Sequence, residues 1–360
     1  MIITNPNAIE KSMALLLADL HLHQKPDWRF IYYQDFIEEL LASDFRCLPL
    51  ILLGDVFEVK DKLDSRVINQ FLNLVLKWSE KHEVIWIVGQ HDSYIPGVAT
   101  LEGLQHVPNI HIVSKDIYTK ESVNGTNDFC CVPYMRDLDD YRKLLKSVPN
   151  NATILTHIPI IEALIQIGAQ NVDGISVEEF KRFKTVISGD IHNYVDIKNF
   201  HYVGATSQRD WRDKNVEPQI GIFTTEHKLV RIPLIAPEHI EIKHLQQLKS
   251  IEASAKQCVI KILTEKMDLK QLAAVRKLPN VLNVIWEPLI VEIIQTSLPE
   301  QTALTTPSTV LQAHLEQAER PADTTIEDLF EIGTELLDNT YKQIYSGADL
   351  IDDNNETELI

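Results

Sequence analysis

Short apolar runs that end in polar residues alternate with longer amphipathic segments over the first two-thirds of the chain. The apolar runs lie in MALLLAD, LPLILLGD, EVIWIVGQ, ATILTH and TVISGD, and each has the length of a buried strand. Helical periodicity at 30–43 and 65–81 predicts helices between strands. Strands that are apolar on both faces and separated by helices indicate an α/β fold. In such folds the polar residues at the carboxyl ends of the strands form the functional site.

A different pattern begins near Glu238. Residues 258–266, 268–279 and 281–293 have the periodicity of a strand, a helix and a strand. We therefore expect a first domain over residues 1–237 and a small α/β domain over 238–296.

The last part of the chain differs in composition from the rest. Residues 297–324 are rich in Thr, Pro, Gln and Ala, which is typical of a linker. Residues 325–345 have the pattern of an amphipathic helix, and the acidic end that follows is predicted to be disordered. An exposed apolar face of this kind normally occupies a groove on a partner. We predict a partner-binding segment over 325–360 that makes its contacts through Leu329, Phe330, Leu336 and Leu337.

Composition narrows the class of protein. The hydrophobic fraction of 44% is ordinary for a globular chain. The apolar run at 13–18 is too short for a membrane helix and lacks the flanking features of a signal peptide. Four cysteines without paired spacing fit a reducing compartment. These features predict a cytoplasmic protein.

The net charge of −18 argues against a general nucleic-acid-binding surface. However, residues 321–360 contain eleven acidic residues and one lysine, so −10 of this charge lies there and −8 on the rest. A nucleic acid could still bind to a local basic patch. The candidate contacts are Lys60, Lys62, Arg209 and Arg212.

Residues able to bind a metal follow five of the predicted strands. They lie in Asp19-Leu20-His21, Gly54-Asp55, Gly89-Gln90-His91-Asp92, His157 and Gly189-Asp190-Ile191-His192. Each group alone is better explained as a turn, a helix cap or a core residue. Because they recur at five strand ends, the groups together predict a site built from oxygen and nitrogen donors.

This order of motifs resembles the calcineurin-like metallophosphoesterase superfamily, in which DxH, GDxxD/E, GNHD, a later His and GHxH follow one another. The motifs here span residues 19–192, with Glu58 at the end of the second. Gln90 stands where the family has Asn, and Asp190 stands where it has His. The resemblance implies a two-layer β sandwich flanked by helices, and phosphoester hydrolysis that depends on two divalent ions.

The resemblance also implies a role for each motif residue. The ligands are Asp19, His21 and His192 for one ion, Gln90, His157 and Asp190 for the other, and Asp55 for both. His91 would be a catalytic group that stabilises the transition state and protonates the departing oxygen. Because hard oxygen donors replace an imidazole at the second ion, manganese is expected, with magnesium as the alternative. The opposing interpretation is a damaged second site with weak or lost activity.

Within the superfamily the chain resembles the SbcD-type nuclease subunits of bacteria and large phages. The small domain is similar to their DNA-capping domain, and residues 202–213 resemble the stretch after their last metal motif. The resemblance implies a DNA exonuclease and single-strand endonuclease of repair, recombination or replication, with an SbcC-like ATPase partner and a homodimer. The alternatives are a phosphodiesterase or phosphatase acting on small molecules or phosphoproteins, and a catalytically weak scaffold subunit.

Overall fold

The computed structural model describes residues 11–60, 62–121, 127–168, 173–254, 256–264 and 269–288. All of them belong to one compact unit, which spans Met1–Leu289. The predicted linker and the predicted partner-binding segment lie outside the described residues, as do Leu329, Phe330, Leu336 and Leu337.

The described helices and strands follow the predicted alternation. The strands in chain order are β1 (Ser12–Leu17), β2 (Leu50–Leu53), β3 (Val84–Ile87), β4 (Ser93–Ile95), β5 (Val98–Ala99), β6 (Ile110–Val113), β7 (Tyr118–Glu121), β8 (Asn127–Val132), β9 (Thr153–His157), β10 (Thr185–Gly189), β11 (Asp196–Ile197), β12 (Phe200–Tyr202), β13 (Gln219–Thr224), β14 (Leu229–Pro233), β15 (Glu238–Ile242), β16 (Cys258–Thr264) and β17 (Val281–Pro288). The α-helices are α1 (Asp27–Ala42), α2 (Ser65–Ser79), α3 (Leu138–Ser147), α4 (Ile161–Gln166), α5 (Leu248–Glu252) and α6 (Leu269–Val275).

Two six-stranded sheets form the centre of the first domain. Their strand orders are β14-β13-β1-β2-β3-β6 and β11-β12-β10-β9-β8-β7. Strands β1, β2, β3 and β6 run parallel, and so do β8, β9, β10 and β12. The carboxyl ends of the motif-bearing strands therefore lie at one edge of each sheet.

Three apolar cores explain why the motif-bearing strands have continuous apolar sequences. One core lies between the sheets and joins residues such as Leu16 and Ile51 of the first to Leu155 and Ile187 of the second. A second packs α1 and α2 on the outer face of the first sheet. A third packs α3 and α4 on the outer face of the second. This helix–sheet–sheet–helix arrangement confirms the predicted sandwich flanked by helices.

A separate three-stranded sheet follows, in the order β15-β16-β17, with all strands parallel. The predicted strand, helix and strand are present as β16, α6 and β17. The sheet has its own apolar core, formed by residues that include Ile242, Ile260 and Val284. We use the name small domain for residues 238–288, which belong to the same compact unit as the two six-stranded sheets.

Within the described ranges, no helix combines the length and the apolar character needed to cross a membrane.

Candidate metal centre

Four of the predicted ligands leave their strands in a backbone conformation that is uncommon for residues other than glycine. The φ angles are 50° at Asp19, 45° at His21, 48° at Asp55 and 90° at Asp190. Hydrogen bonds between the segments after β1 and β2 hold these turns, from Asp19 N to Gly54 O at 3.2 Å and from His21 N to Asp55 O at 2.9 Å. Such conformations cost about 1–3 kcal/mol each and are found where the surrounding structure enforces them. The fold therefore fixes the direction of these side chains.

Two motif glycines allow the strand ends to approach each other closely. A Cβ atom on Gly54 would lie 2.3 Å from Nδ1 of His157, which belongs to the other sheet. A Cβ atom on Gly89 would lie 2.3 Å from Oδ1 of Asp55. Neither position has room for a side chain. Gly54 is therefore required for the two sheets to meet at one site, and Gly89 is required for two neighbouring strands of the first sheet to do so.

The first cluster of donor atoms consists of Asp19, His21 and His192, whose ligand atoms lie within 4.8 Å of one another. The Nε2 atoms of His21 and His192 face each other at 3.1 Å. Two imidazole nitrogens at this separation need a proton or a cation between them. We call these three residues the first half of the metal centre.

The second cluster consists of Asp19, Asp55 and His157. Nε2 of His157 lies 3.4 Å from Oδ1 of Asp55 and 3.6 Å from Oδ1 of Asp190. This nitrogen is buried and has no hydrogen-bond partner in the described part of the chain. We call His157 and Asp190, together with the predicted ligand Gln90, the second half of the metal centre.

Asp55 lies between the two halves. Its Oδ1 atom faces His157, whereas its Oδ2 atom lies 3.9 Å from Nε2 of His21. One carboxylate oxygen is thus directed toward each half, which fits the predicted bridging role. Asp19 belongs to both clusters, and its central position was not anticipated from the motifs.

His91 and Gln90 lie on the accessible side of the centre. The side chain of His91 is 29% exposed, compared with 2% for His21 and 0% for His157. Its main-chain N–H donates to Oδ1 of Asp55 at 2.9 Å. Gln90, the residue before His91, is exposed and lines a cavity together with His91. The arrangement leaves His91 able to contact a substrate.

The histidines of the motifs, of which there are four, are oriented alike. In each of them Nδ1 faces an oxygen atom outside the centre. The oxygen partners are Leu53 O for His157 at 2.7 Å, Asp213 Oδ2 for His192 at 2.6 Å, Glu58 O for His91 at 2.8 Å and Glu58 Oε2 for His21 at 3.5 Å. The last separation is an electrostatic contact and not a hydrogen bond. Partners of this kind fix the ring orientation and leave Nε2 of each ring directed toward the centre.

The loop between β12 and β13, residues 203–218, connects this centre to the small domain. Its Arg209 binds Oε1 of Glu58 at 2.9 Å, and the main-chain N–H of Arg209 donates to Oδ2 of Asp213 at 3.0 Å. The side-chain oxygen of Gln208 accepts a hydrogen bond of 2.6 Å from the N–H of His239 in β15. The loop thus contacts ligand-orienting residues on one side and the small domain on the other.

The four basic residues predicted to contact DNA fall into two groups. Arg209 is paired with Glu58, and Arg212 is paired with Asp210 at 2.5 Å. Lys60 and Lys62 are exposed, and Lys60 lines the same cavity as His91. The charges of the two arginines are therefore locally neutralised, whereas that of Lys60 faces the approach to the centre.

Burial of several carboxylates in one place changes their protonation. Burial raises the pKa of Asp19 to about 7 and that of Asp190 to about 6. Burial also opposes ionisation of Asp55, but the neighbouring His157 overcomes it and holds the pKa of Asp55 below its ordinary value. Crowded buried carboxylates of this kind require protons or cations. A set of carboxylate and imidazole donors fits divalent cations.

The family comparison covers the residues that form this centre. The profile of the calcineurin-like phosphoesterase family matches residues 14–194. No curated protein matches the chain. A solved archaeal phosphodiesterase is similar at 16% identity and covers 61% of this chain and 99% of its own, with a TM-score of 0.32. From the family match and the clusters of metal-binding residues, we conclude that the chain belongs to the calcineurin-like phosphoesterase family and is a metal-dependent phosphoester hydrolase.

Proposed function

We propose that this protein is a two-metal DNA nuclease, the SbcD-like subunit of a complex with an SbcC-like ATPase. The observation that carries the proposal is the pair of donor clusters joined by Asp19 and Asp55, with His91 on the accessible side. The small domain supports a polymeric substrate, because it adds a second surface next to the centre. The SbcD-like assignment itself rests on the sequence resemblance.

The donor atoms fit two divalent ions. Asp19, His21 and His192 would hold one ion, and His157, Asp190 and Gln90 would hold the other, with Asp55 between them. When bound, the ions supply neutralising charge for the phosphodiester and make the attacking water more acidic. Manganese is the expected metal, with magnesium as the alternative, because hard oxygen donors dominate the second half.

His91 is placed to move a proton. Since the carbonyl of Glu58 can only accept, Nδ1 of His91 carries the hydrogen in this contact, and Nε2 is left for the reaction. Oδ2 of Asp55 lies 3.9 Å from that Nε2. His91 can therefore hold a proton at Nε2 and donate it to the departing oxygen.

The partner interaction would be made by the segment 325–360. Its apolar residues Leu329, Phe330, Leu336 and Leu337 would dock on the coiled-coil base of the ATPase, and its acidic residues suit a basic rim on that groove. A homodimer in the cytoplasm, of the host if the chain is phage-encoded, completes the proposal.

One assay separates the nuclease from its alternatives. The purified protein is incubated with manganese and given duplex DNA, single-stranded DNA or a chromogenic phosphodiester, with His91→Gln as the inactive control. We expect cleavage of both DNA forms by the wild type and none by the variant. Turnover of the chromogenic diester alone would indicate a small-molecule phosphodiesterase, and no turnover of any substrate would indicate a scaffold subunit. Highest activity with zinc, and none with manganese, would contradict the metal assignment.

A further inference from the structure

A cavity of about 320 Å³ opens beside His91. Its wall includes Gln90 and His91 after β3, Tyr94 of the β4–β5 hairpin, and Tyr134 and Arg136 after β8. The volume is within the range of small-ligand sites. A group bound there would lie directly next to the residue placed to protonate the departing oxygen.

Two cations on this wall have no acidic partner within the residues that the structure describes. Lys60 and Arg136 are both exposed and line the cavity. By contrast, Arg209 and Arg212, which sequence reasoning also favoured for DNA contact, are neutralised by Glu58 and Asp210. In a chain with a net charge of −18, two unpaired cations at one cavity form a local site for an anion.

Two aromatic rings lie at the same cavity. Tyr94 is 53% exposed, so its ring is available for contact with a ligand. Tyr134 lies deeper, with its ring edge-on to that of His157 and 6.1 Å between the ring centroids. Proteins that bind single-stranded nucleic acid combine cations for the backbone with aromatic rings on which bases stack.

We propose that this cavity holds the nucleotide next to the scissile bond as an unpaired residue. Its phosphate contacts Lys60 and Arg136, and its base stacks on Tyr94. An unpaired nucleotide offers a base face to the tyrosine ring, whereas a base inside a duplex is stacked on both faces. The inference rests on the proposed nuclease function and names the form in which DNA enters the site.

The test compares two substrates across matched variants. For each protein, kcat/KM is measured with a single-stranded oligonucleotide and with a chromogenic phosphodiester, and the ratio of the two values is reported. Tyr94→Ala and Arg136→Gln are expected to lower this ratio by about tenfold, in line with the loss of one stacked base or one phosphate contact. Tyr94→Phe keeps the ring and should keep the ratio.

Control variants carry the same kinds of change away from the cavity wall. Ile95→Ala alters the neighbouring residue of the hairpin, which is also 53% exposed, and Arg142→Gln removes a charge that Asp139 and Glu179 neutralise. Both should retain the wild-type ratio. Unchanged melting temperatures of all variants show that the fold is intact.

An oligonucleotide with an abasic residue at the cleaved end tests whether Tyr94 acts through the base. It should lower the wild-type ratio as Tyr94→Ala does, and Tyr94→Ala should lower it no further. If Tyr94→Ala and Arg136→Gln retain the ratio while the wild type cleaves DNA, the subsite is wrong and the nuclease function stands. If the wild type turns over the diester and no oligonucleotide, the proposed function is wrong and the subsite with it.

Discussion

The first and second halves of the metal centre differ in what fixes their imidazole rings. In the first half, His192 is held by the carboxylate of Asp213 and His21 is close to that of Glu58. Arg209 contacts both carboxylates: its side chain pairs with Glu58, and its main-chain N–H donates to Asp213. The first half therefore depends on side chains that a single loop brings together.

In the second half, His157 bonds to the main-chain carbonyl of Leu53, and its side chain is fully buried between the sheets. A main-chain partner cannot be lost by substitution of a side chain. The departures from the family pattern, Gln90 and Asp190, both lie in this half. Substitution of a supporting side chain should therefore disturb the first half. The second half differs from the family in its predicted ligands.

The largest effect is expected where the halves meet. Asp55→Asn removes the charge directed at both halves, so bound metal and turnover should both fall to background. His91→Gln should lower turnover by about 10²–10⁴-fold while bound metal is retained, because His91 acts on the proton and is not a ligand. Metal content by elemental analysis, measured alongside turnover, checks both. Loss of metal in the His91 variant and its retention in the Asp55 variant would reverse the assigned roles.

The next effect should be confined to the first half. Asp213→Asn keeps an oxygen near His192 but removes the charge that supports the ring. Loss of such a partner typically costs about 10–100-fold in metal affinity or activity. Titration calorimetry with manganese should show one of two binding steps weakened, whereas Asp210→Asn in the same loop should leave both steps unchanged. Equal weakening of both steps in Asp213→Asn would show that the halves are not independent.

A ligand exchange tests the second half. Asp190→His restores the donor found elsewhere in the family and replaces a hard oxygen with a borderline nitrogen. The affinity for zinc relative to manganese should rise by about tenfold, since imidazole suits zinc better than carboxylate does. Competition between the two metals, followed by elemental analysis, measures this ratio. An unchanged ratio would mean that Asp190 does not contact the second ion.

The smallest effect is a pH dependence of stability. The folded-state pKa values of about 7 for Asp19 and about 6 for Asp190 lie above the ordinary value of 3.8, so the folded state binds protons more tightly than the unfolded state. Stability therefore falls as pH rises toward 7, and the loss is complete above it. The raised pKa values of His157 and His192 act in the same direction, whereas the lowered pKa of His21 acts in the opposite direction near pH 6.5.

After treatment with a chelator, the protein should melt a few degrees lower at pH 8 than at pH 6. Manganese should reduce the difference between the two melting temperatures, because bound ions replace the protons on the buried carboxylates. Thermal melting monitored by circular dichroism at the two pH values, with and without manganese, gives the comparison. A chelated protein that is more stable at pH 8 than at pH 6 would contradict the assignment of these buried carboxylates.

Sequence reasoning was most successful where structure is local. The strands of the motifs were predicted because both faces are buried, as at Leu50–Leu53, where each of the four residues is buried. The motif residues were found because each directly follows such a strand. That these residues lie close together could be inferred only from the parallel arrangement of the strands.

Contacts between distant segments were not predicted. Asp213 supports His192 across 21 residues, and nothing in the local sequence distinguishes this aspartate from a helix cap. Glu58 was visible at the end of the GDxxD/E motif, but its contacts with His21 and Arg209 depend on how the loop after β12 folds back. For Arg212 the sequence did contain a signal against DNA contact. Asp210 precedes it by two residues and neutralises its charge.

The left-handed backbone at the ligands has an evolutionary consequence. Each such residue costs stability, and at Asp190 the φ angle of 90° lies beyond the range that residues with a side chain usually adopt. A chain selected for stability alone would gain by placing glycine at such a position. A carboxylate in place of glycine there is what selection for a working ion site would produce. Under the proposed function, the exchange of imidazole for carboxylate at Asp190 therefore fits a site that still binds an ion and not an abandoned one.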